Sequence, residues 1–308
     1  MSEYKNRAVV LKQRPQGEIQ QGDLVLEERP VRSPNEGEVV AQVLWLSLDP
    51  YMRPRMNDAK GYMDPIGIDE PIVGESVVES RSDDLKVGDL VTCYSGWQEY
   101  VTFPADAPMV YKIQQRDNVP LQTYLGVAGM PGRTGYCGLM YVGKPKAGET
   151  VVVSAASGPV GTVVGQTAKT EGCRVVGVAG GPEKCDFVVN ELGFDACVDY
   201  KAGNLEADLK AACPDGIDIY FENVGGAVTR AVAPLLNEGA RVPICGFVSA
   251  YNAKDMASVE TPFHVLGALD PAPEHRFFLV TEWQDQHQEI TDILASRVAS
   301  GELKYRET

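Results

Sequence analysis

Val151-Val152-Val153-Ser154-Ala155-Ala156-Ser157-Gly158-Pro159-Val160-Gly161 is the stretch whose reading decides the fold. Three β-branched residues in a row read as a buried strand. Small residues and a glycine follow at once, so the chain turns tightly there. Pro159 has the φ of a first helical turn and opens a helix. Val160, Val163, Val164, Thr167 and Ala168 recur at i, i+3, i+4, i+7 and i+8, which is one helical face. Gly161 and Gly165, one turn apart, let that helix approach a sheet, and Gly172 is placed to end it. A strand, a glycine turn and a helix N-terminus make a phosphate site, because free backbone N–H groups and the positive end of the helix dipole point at one anion. Against the dinucleotide pattern G-x-G-x-x-G the first glycine is Ala156, with Gly158 and Gly161 intact. Alone the motif is weak, since a glycine after a strand is often only a turn.

Beyond this stretch strands and helices alternate. Arg174–Ala179, Ala196–Val198, Ile217–Phe221, Ala240–Cys245 and Phe277–Val280 read as strands. Helices are expected over Pro182–Leu192, from an Asn204 cap to Ala212, over Ala227–Leu236 and over Gln286–Ser300. Such alternation predicts a parallel, doubly wound sheet covered on both faces, with the phosphate turn at the carboxyl end of its first strand. Ser249–Glu274 is broken by Pro262, Pro271 and Pro273. It reads as a surface loop with a short helix near Phe263–Leu269. Upstream, residues 1–122 are β-rich. Arg7–Leu11, Leu24–Arg29, Glu38–Leu46, Ile72–Glu79, Asp89–Tyr94 and Gln98–Thr102 are separated by Gly, Pro, Asn and Asp turns, the pattern of a partly closed β domain. Leu121–Tyr141 reads as mostly helical. The expected division is a β-rich domain over 1–122 and a cofactor domain over 123–299, with 300–308 beginning a return to the first.

The chain has 308 residues, 44% of them hydrophobic and 23% charged, an ordinary globular composition with room for two cores. A net charge of −15 argues against nucleic acid and anionic membranes as partners, so any phosphate must be held by local features. The N-terminus is polar with no apolar segment after it, and no apolar run approaches membrane-spanning length, so neither a signal peptide nor a membrane span is expected. The seven cysteines are odd in number and never closely spaced, which reads as reduced thiols in a cytoplasmic protein.

An NAD site wants an acid about 20 residues past the glycines, to hold the ribose hydroxyls. Here the second strand ends Val178-Ala179-Gly180-Gly181-Pro182-Glu183-Lys184. The position is small and neutral, and a lysine follows within a turn, which suits the 2′-phosphate of NADP(H). The missing acid also weakens an S-adenosylmethionine reading. Glu222-Asn223-Val224-Gly225-Gly226 ends the fourth strand, where paired glycines permit close approach to a ligand and Asn223 can meet the nicotinamide-side ribose. Zinc is disfavoured, because the three histidines, His264, His275 and His287, all fall in the last quarter and no cysteines pair at short spacing. A hydride transfer then needs another helper at the substrate oxygen. Tyr251, Tyr62 and Tyr51 are the candidates, drawn from 13 tyrosines.

These segments resemble one family. Leu48-Asp49-Pro50-Tyr51-Met52-Arg53, Tyr94-Ser95-Gly96-Trp97-Gln98, Gly129-Met130-Pro131-Gly132, the Ala155–Gly161 turn, Glu222–Gly226 and Ile244-Cys245-Gly246 are similar to the zinc-independent medium-chain dehydrogenase/reductases. The similarity is to their prostaglandin and alkenal reductase branch, and most of all to the bacterial NADPH-dependent curcumin reductases. The resemblance implies a GroES-like β domain followed by a Rossmann domain. It implies NADPH-dependent reduction of the carbon–carbon double bond of an α,β-unsaturated ketone or aldehyde, without metal. By motif match Ala156, Ser157, Gly158, Val160 and Gly161 would line the pyrophosphate and Lys184 would take the 2′-phosphate. Tyr200 would sit at the adenosine end, Asn223 at the nicotinamide ribose, and Tyr251 and Tyr62 at the substrate. Glu75 or Ser76 would stand where zinc relatives carry a histidine. A homodimer is likewise implied. The alternatives are a quinone reductase of the same superfamily and an NADP-binding protein with little turnover. Two departures mark this chain. Val259–Arg276 is proline-broken where relatives carry a longer apolar helix. The sequence also stops at Thr308, after Lys304-Tyr305-Arg306-Glu307, where relatives continue into a helix and strand that close the β domain.

Overall fold

The computed structural model describes residues 5–59, 63–80 and 85–307, with 79 and 80 described by backbone only. The chain divides into two compact units, residues 1–125 with 251–254, and residues 126–250 with 255–308.

In the first unit, β1 (Lys5–Leu11) and β2 (Leu24–Pro30) form an antiparallel pair. A five-stranded antiparallel sheet follows, built from β3 (Glu38–Leu46), β4 (Ser76–Ser80), β5 (Leu90–Cys93), β6 (Tyr100–Pro104) and β7 (Tyr111–Lys112) in the order β6-β3-β4-β5-β7. Pro50 and Pro54 forbid continuation of β3 as a ladder strand. The chain instead makes the short helix α1 (Met52–Arg55), whose Met52 packs with Leu11, Met56, Ile66 and Ile72. The expected strand from Ile72 begins only at Ser76. Residues 72–75 bond outside one ladder: Ile72 N to Val9 O, Trp97 N to Ile72 O and Ser47 N to Glu75 O.

The second unit carries the parallel sheet. Its strands are β8 (Thr150–Ser154), β9 (Arg174–Ala179), β10 (Ala196–Asp199), β11 (Ile217–Phe221), β12 (Leu236–Ile244) and β13 (Glu274–Phe277), in the order β10-β9-β8-β11-β12-β13. This is the doubly wound order, which reverses between β8 and β11. Val151, Val152 and Val153 are fully buried at its centre, because helices cover both faces. The helices are α2 (Met130–Cys137), α3 (Pro159–Thr170), α4 (Pro182–Asp186), α5 (Leu205–Ala212), α6 (Gly226–Val232), α7 (Pro262–Gly267) and α8 (His287–Ala299). Val163, Val164 and Ala168 of α3 are fully buried, and Gly172 ends the helix region with φ of +80°. Asn204 sits at the N-cap of α5, but its side chain makes no capping bond.

Some boundaries differ from the sequence reading. The helix from Pro182 becomes π-helical over Phe187–Glu191, and the one from Met130 does so over Gly138–Gly143. β12 begins at Leu236, before Ala240, because Ile217 pairs with Leu236 ahead of a bulge. β13 lies three residues before Phe277–Val280, since Phe277 is the last residue paired, opposite Ile244. Pro262 opens α7 instead of breaking the segment. Residues 301–307 pack within the second unit where a return to the first was expected: Lys304 N and O both bond Gln166, Leu303 is buried, and Arg306 pairs with Glu191 over the Phe187 ring. All seven cysteines are unbridged, and burial raises the pKa of each thiol. Among the described residues no helix is long and apolar enough to cross a membrane.

Candidate active site

The turn after β8 is built for close approach. Ala155 adopts φ of +52°, and Gly158 N closes the turn onto Ala155 O at 3.0 Å. A Cβ on Gly161 would lie 2.5 Å from Ala155 O and 2.7 Å from the Ala156 Cα, so only glycine fits there. Ala156 is fully buried, and a Cβ on Gly177 of β9 would meet its methyl at 2.8 Å. The departure from the glycine pattern at 156 therefore has a local cause: the methyl fills the space left by Gly177. Gly158 caps α3 with no side-chain bond, and Pro159 stands at its first turn. The first-turn N–H groups of this 12-residue helix are thus left for an external acceptor. Ser157 and Val160 are half-buried beside them.

At the end of β9, Lys184 is exposed on α4. Tyr200 follows β10 and covers Gly180, where a Cβ would meet its ring at 2.7 Å. Lys201 lies with Nζ 5.8 Å from the Tyr200 ring centre. The structure brings an acid here that the strand-end reading missed. Asp199, on the neighbouring strand, accepts from Gly181 N at 2.8 Å and Lys201 N at 2.9 Å. Those two N–H groups hold its carboxyl below the usual range. No spacing rule anchored on β9 finds it, since it enters from β10.

At the end of β11, Asn223 is half-buried and its Nδ2 donates to Ser154 O at 2.7 Å. Its N–H donates to Ser154 Oγ at 2.7 Å. The amide nitrogen is therefore turned into the protein, leaving Oδ1 as the acceptor a ribose hydroxyl needs. Gly225 and Gly226 both have positive φ, +79° and +59°, and a Cβ on Gly225 would meet Phe247 Cβ at 2.8 Å. Glu222, fully buried behind this turn, was legible only as part of a motif.

Tyr51 and Tyr251 belong to the first unit. Tyr251 is half-buried in the segment 251–254, which packs at Gly17: a Cβ there would lie 3.7 Å from Lys254 Cε. Tyr51 precedes α1. Its hydroxyl is buried with no hydrogen-bond partner among the described residues, as is Asp49 Oδ2. Burial first, then Tyr94, Asp49 and Glu75, raise the Tyr51 phenol well above its ordinary value, so it keeps its proton. Tyr62 lies outside the described residues. Glu75 and Ser76 are both buried, and Ser76 Oγ accepts from Ser95 at 2.6 Å. Among the described residues no group of three or more His, Cys, Asp or Glu side chains is arranged to hold a metal.

The chain is similar to known proteins over most of its length. A family model described as the N-terminal domain of oxidoreductase matches residues 7–112, and one described as zinc-binding dehydrogenase matches residues 159–268. The NADPH-dependent curcumin reductase of Escherichia coli (strain K12) is 50% identical over 255 residues, 82% of this chain and 73% of its own. A 2-alkenal reductase (NADP(+)-dependent) of Nicotiana tabacum is 38% identical over 313 residues, 99% of this chain and 90% of its own. The crystal structure of CurA in complex with NADPH from Vibrio vulnificus superposes with a TM-score of 0.90 at 42% identity, covering 98% of this chain and 90% of that one.

Proposed function

The chain belongs to the medium-chain dehydrogenase/reductase family, in the branch of the curcumin and alkenal reductases, and from this premise we propose that it is an NADPH-dependent enone reductase. Its substrates are α,β-unsaturated ketones or aldehydes, and it works without metal. The observation that carries the reading is the tight turn from Ala155 to Gly161 at the carboxyl end of β8, which leads into a helix N-terminus with no side-chain cap.

When bound, NADPH supplies a hydride to the β-carbon of the double bond. The protein's part is to bind, to orient and to stabilise charge. Backbone groups of Ala156, Ser157, Gly158, Val160 and Gly161 receive the pyrophosphate. Lys184 and Tyr200 take the 2′-phosphate end, and Asn223 Oδ1 accepts from the nicotinamide-side ribose. Hydride addition at the β-carbon leaves an enolate, whose oxygen needs a donor that does not itself ionise. Tyr251, Tyr62 and Tyr51 are the proposed donors; a phenol kept protonated by burial, like Tyr51, suits that task. The same reading includes a homodimer, which size-exclusion chromatography with light scattering tests. It also includes a cytoplasmic location, supported by seven unbridged thiols.

NADPH oxidation followed at 340 nm, with an enone, with a quinone and with no acceptor, tests the function. Enone-dependent oxidation is expected. Oxidation with quinone alone moves the chain to quinone reduction, and tight NADPH binding without oxidation by any acceptor overturns the enzyme reading.

A further inference from the structure

Glu222 is a buried carboxylate that the reaction as described does not use. It is 0% exposed, at the carboxyl end of β11. Its Oε1 accepts from Val224 N at 2.7 Å, Gly225 N at 2.9 Å and Ser154 Oγ at 3.2 Å, and its Oε2 accepts from the Thr229 hydroxyl. Two backbone donors and the Thr229 hydroxyl converge on it, with the single Ser154 proton placed equally between Glu222 Oε1 and Phe221 O, both at 3.2 Å. Its own backbone joins the next strand: Glu222 N bonds Pro243 O, and Cys245 N and Gly246 N bond Glu222 O. The turn it holds then receives Val248 N at Asn223 O and Ser249 N at Val224 O. One side chain thus ties the end of β8, the 222–226 turn and α6 together, and the turn in turn fixes the 245–249 segment.

We propose that Glu222 is a positioning residue for the nicotinamide end of the cofactor: it fixes Asn223 and the Gly225-Gly226 turn, and its buried negative charge favours the oxidised, positively charged nicotinamide over the neutral reduced one. The inference rests on the reading that NADPH binds at the ends of β8 and β11. A carboxylate held in a low-dielectric interior acts over several ångströms without screening by salt. Favouring the oxidised form stabilises the state in which hydride has left, so the charge assists reduction of the substrate without touching it.

The test is the pair of dissociation constants for NADP+ and NADPH, measured by fluorescence on the wild type and on Glu222→Gln and Glu222→Asp, with thermal unfolding to verify folding. Gln keeps the shape and the acceptor for Val224 and Gly225 but removes the charge. The expected result is an NADP+ affinity lowered about 10-fold in the Gln variant, with NADPH affinity changed less than about 2-fold, and a ratio restored by Asp. A folded Gln variant with an unchanged ratio overturns the proposal and leaves the enzyme reading standing. Should the Gln variant not fold, the wild type decides: NADP+ is expected to bind at least as tightly as NADPH, and NADPH binding about 10-fold tighter overturns the charge role. Failure of the wild type to bind either form overturns the cofactor reading itself, and this proposal with it.

Discussion

Lys184 stands exposed on α4, one turn beyond the Gly180-Gly181 strand end, while Asp199 occupies the N–H groups of Gly181 and Lys201. On the proposed reading, the Lys184 charge is what receives a 2′-phosphate at this strand end. Reversing it should therefore select against the phosphate. Lys184→Glu is expected to weaken NADPH binding by at least about 10-fold while leaving NADH binding within about 2-fold. Fluorescence titration with both cofactors checks this, and equal losses for the two would remove Lys184 from the phosphate site. At this scale the strand, the glycine turn and the helix start were legible in the sequence, since backbone freedom is written in residue type and spacing; the cofactor roles of Lys184 and Asn223 stay part of the proposal. The hydrogen-bonded settings of Glu222 and Asp199 were not legible. An acid reads the same whether it is solvated or held by several donors, and only the meeting of β8, β11 and α6, or of β9 and β10, distinguishes them.

Among the elements, α3 owes its close packing on the segment before β10 to Gly165. A Cβ there would lie 1.7 Å from the ring of Phe194, itself buried against Val164, Val188 and Leu192. Gly165→Ala is expected to cost about 1–3 kcal/mol of stability by overpacking, even though alanine is the better helix former. Phe194→Leu in the same chain should recover part of the loss. Chemical denaturation of the single and double variants measures both, and additive losses would show that the two sites do not meet. Short strands rich in β-branched or aromatic residues and bounded by turn residues were readable to the residue, as for Arg174–Ala179 and Ile217–Phe221. The π-helical turns at Gly138–Gly143 and Phe187–Glu191 were not, because a single widened turn leaves the apolar spacing looking α-helical. The start of β12 was hidden for a different reason. Asn237 there bonds Asp218 Oδ1 at 2.8 Å and crowds Gly216, so the pairing is set by side-chain polar contacts and not by hydrophobic alternation.

On the scale of the whole molecule, local sequence gave no sign that residues 251–254 leave the second unit to pack with the first, or that 301–307 stay with the second. Both depend on contacts made across more than a hundred residues of chain. Stability of the molecule should also carry an acid-side dependence from His287, which is buried at the start of α8. Burial, then the neighbouring Arg133, lower its pKa from 6.5 to about 3. A folded-state value below the unfolded one means that the unfolded chain binds the extra proton first. Stability is then full above about pH 6.5 and falls as the pH drops toward 3. Between pH 7 and pH 5 the expected loss through this group is on the order of 1 kcal/mol, after allowing for solvent screening. His287→Gln should flatten that slope in denaturation curves taken across the range; an unchanged slope would assign it to other groups. The burial of the thiols has a consequence of its own. Enones and alkenals are soft electrophiles that alkylate cysteine, and it is the thiolate that attacks. A catalyst that draws such compounds to its surface is exposed to inactivation by them at every turnover. All seven thiols here sit where burial raises their pKa, Cys245 to about 12 with Glu222 adding to the effect. Intact-mass spectrometry after incubation with an alkenal should show the folded protein largely unmodified and the unfolded chain alkylated at its cysteines, a chemical immunity that lasts only as long as the fold does.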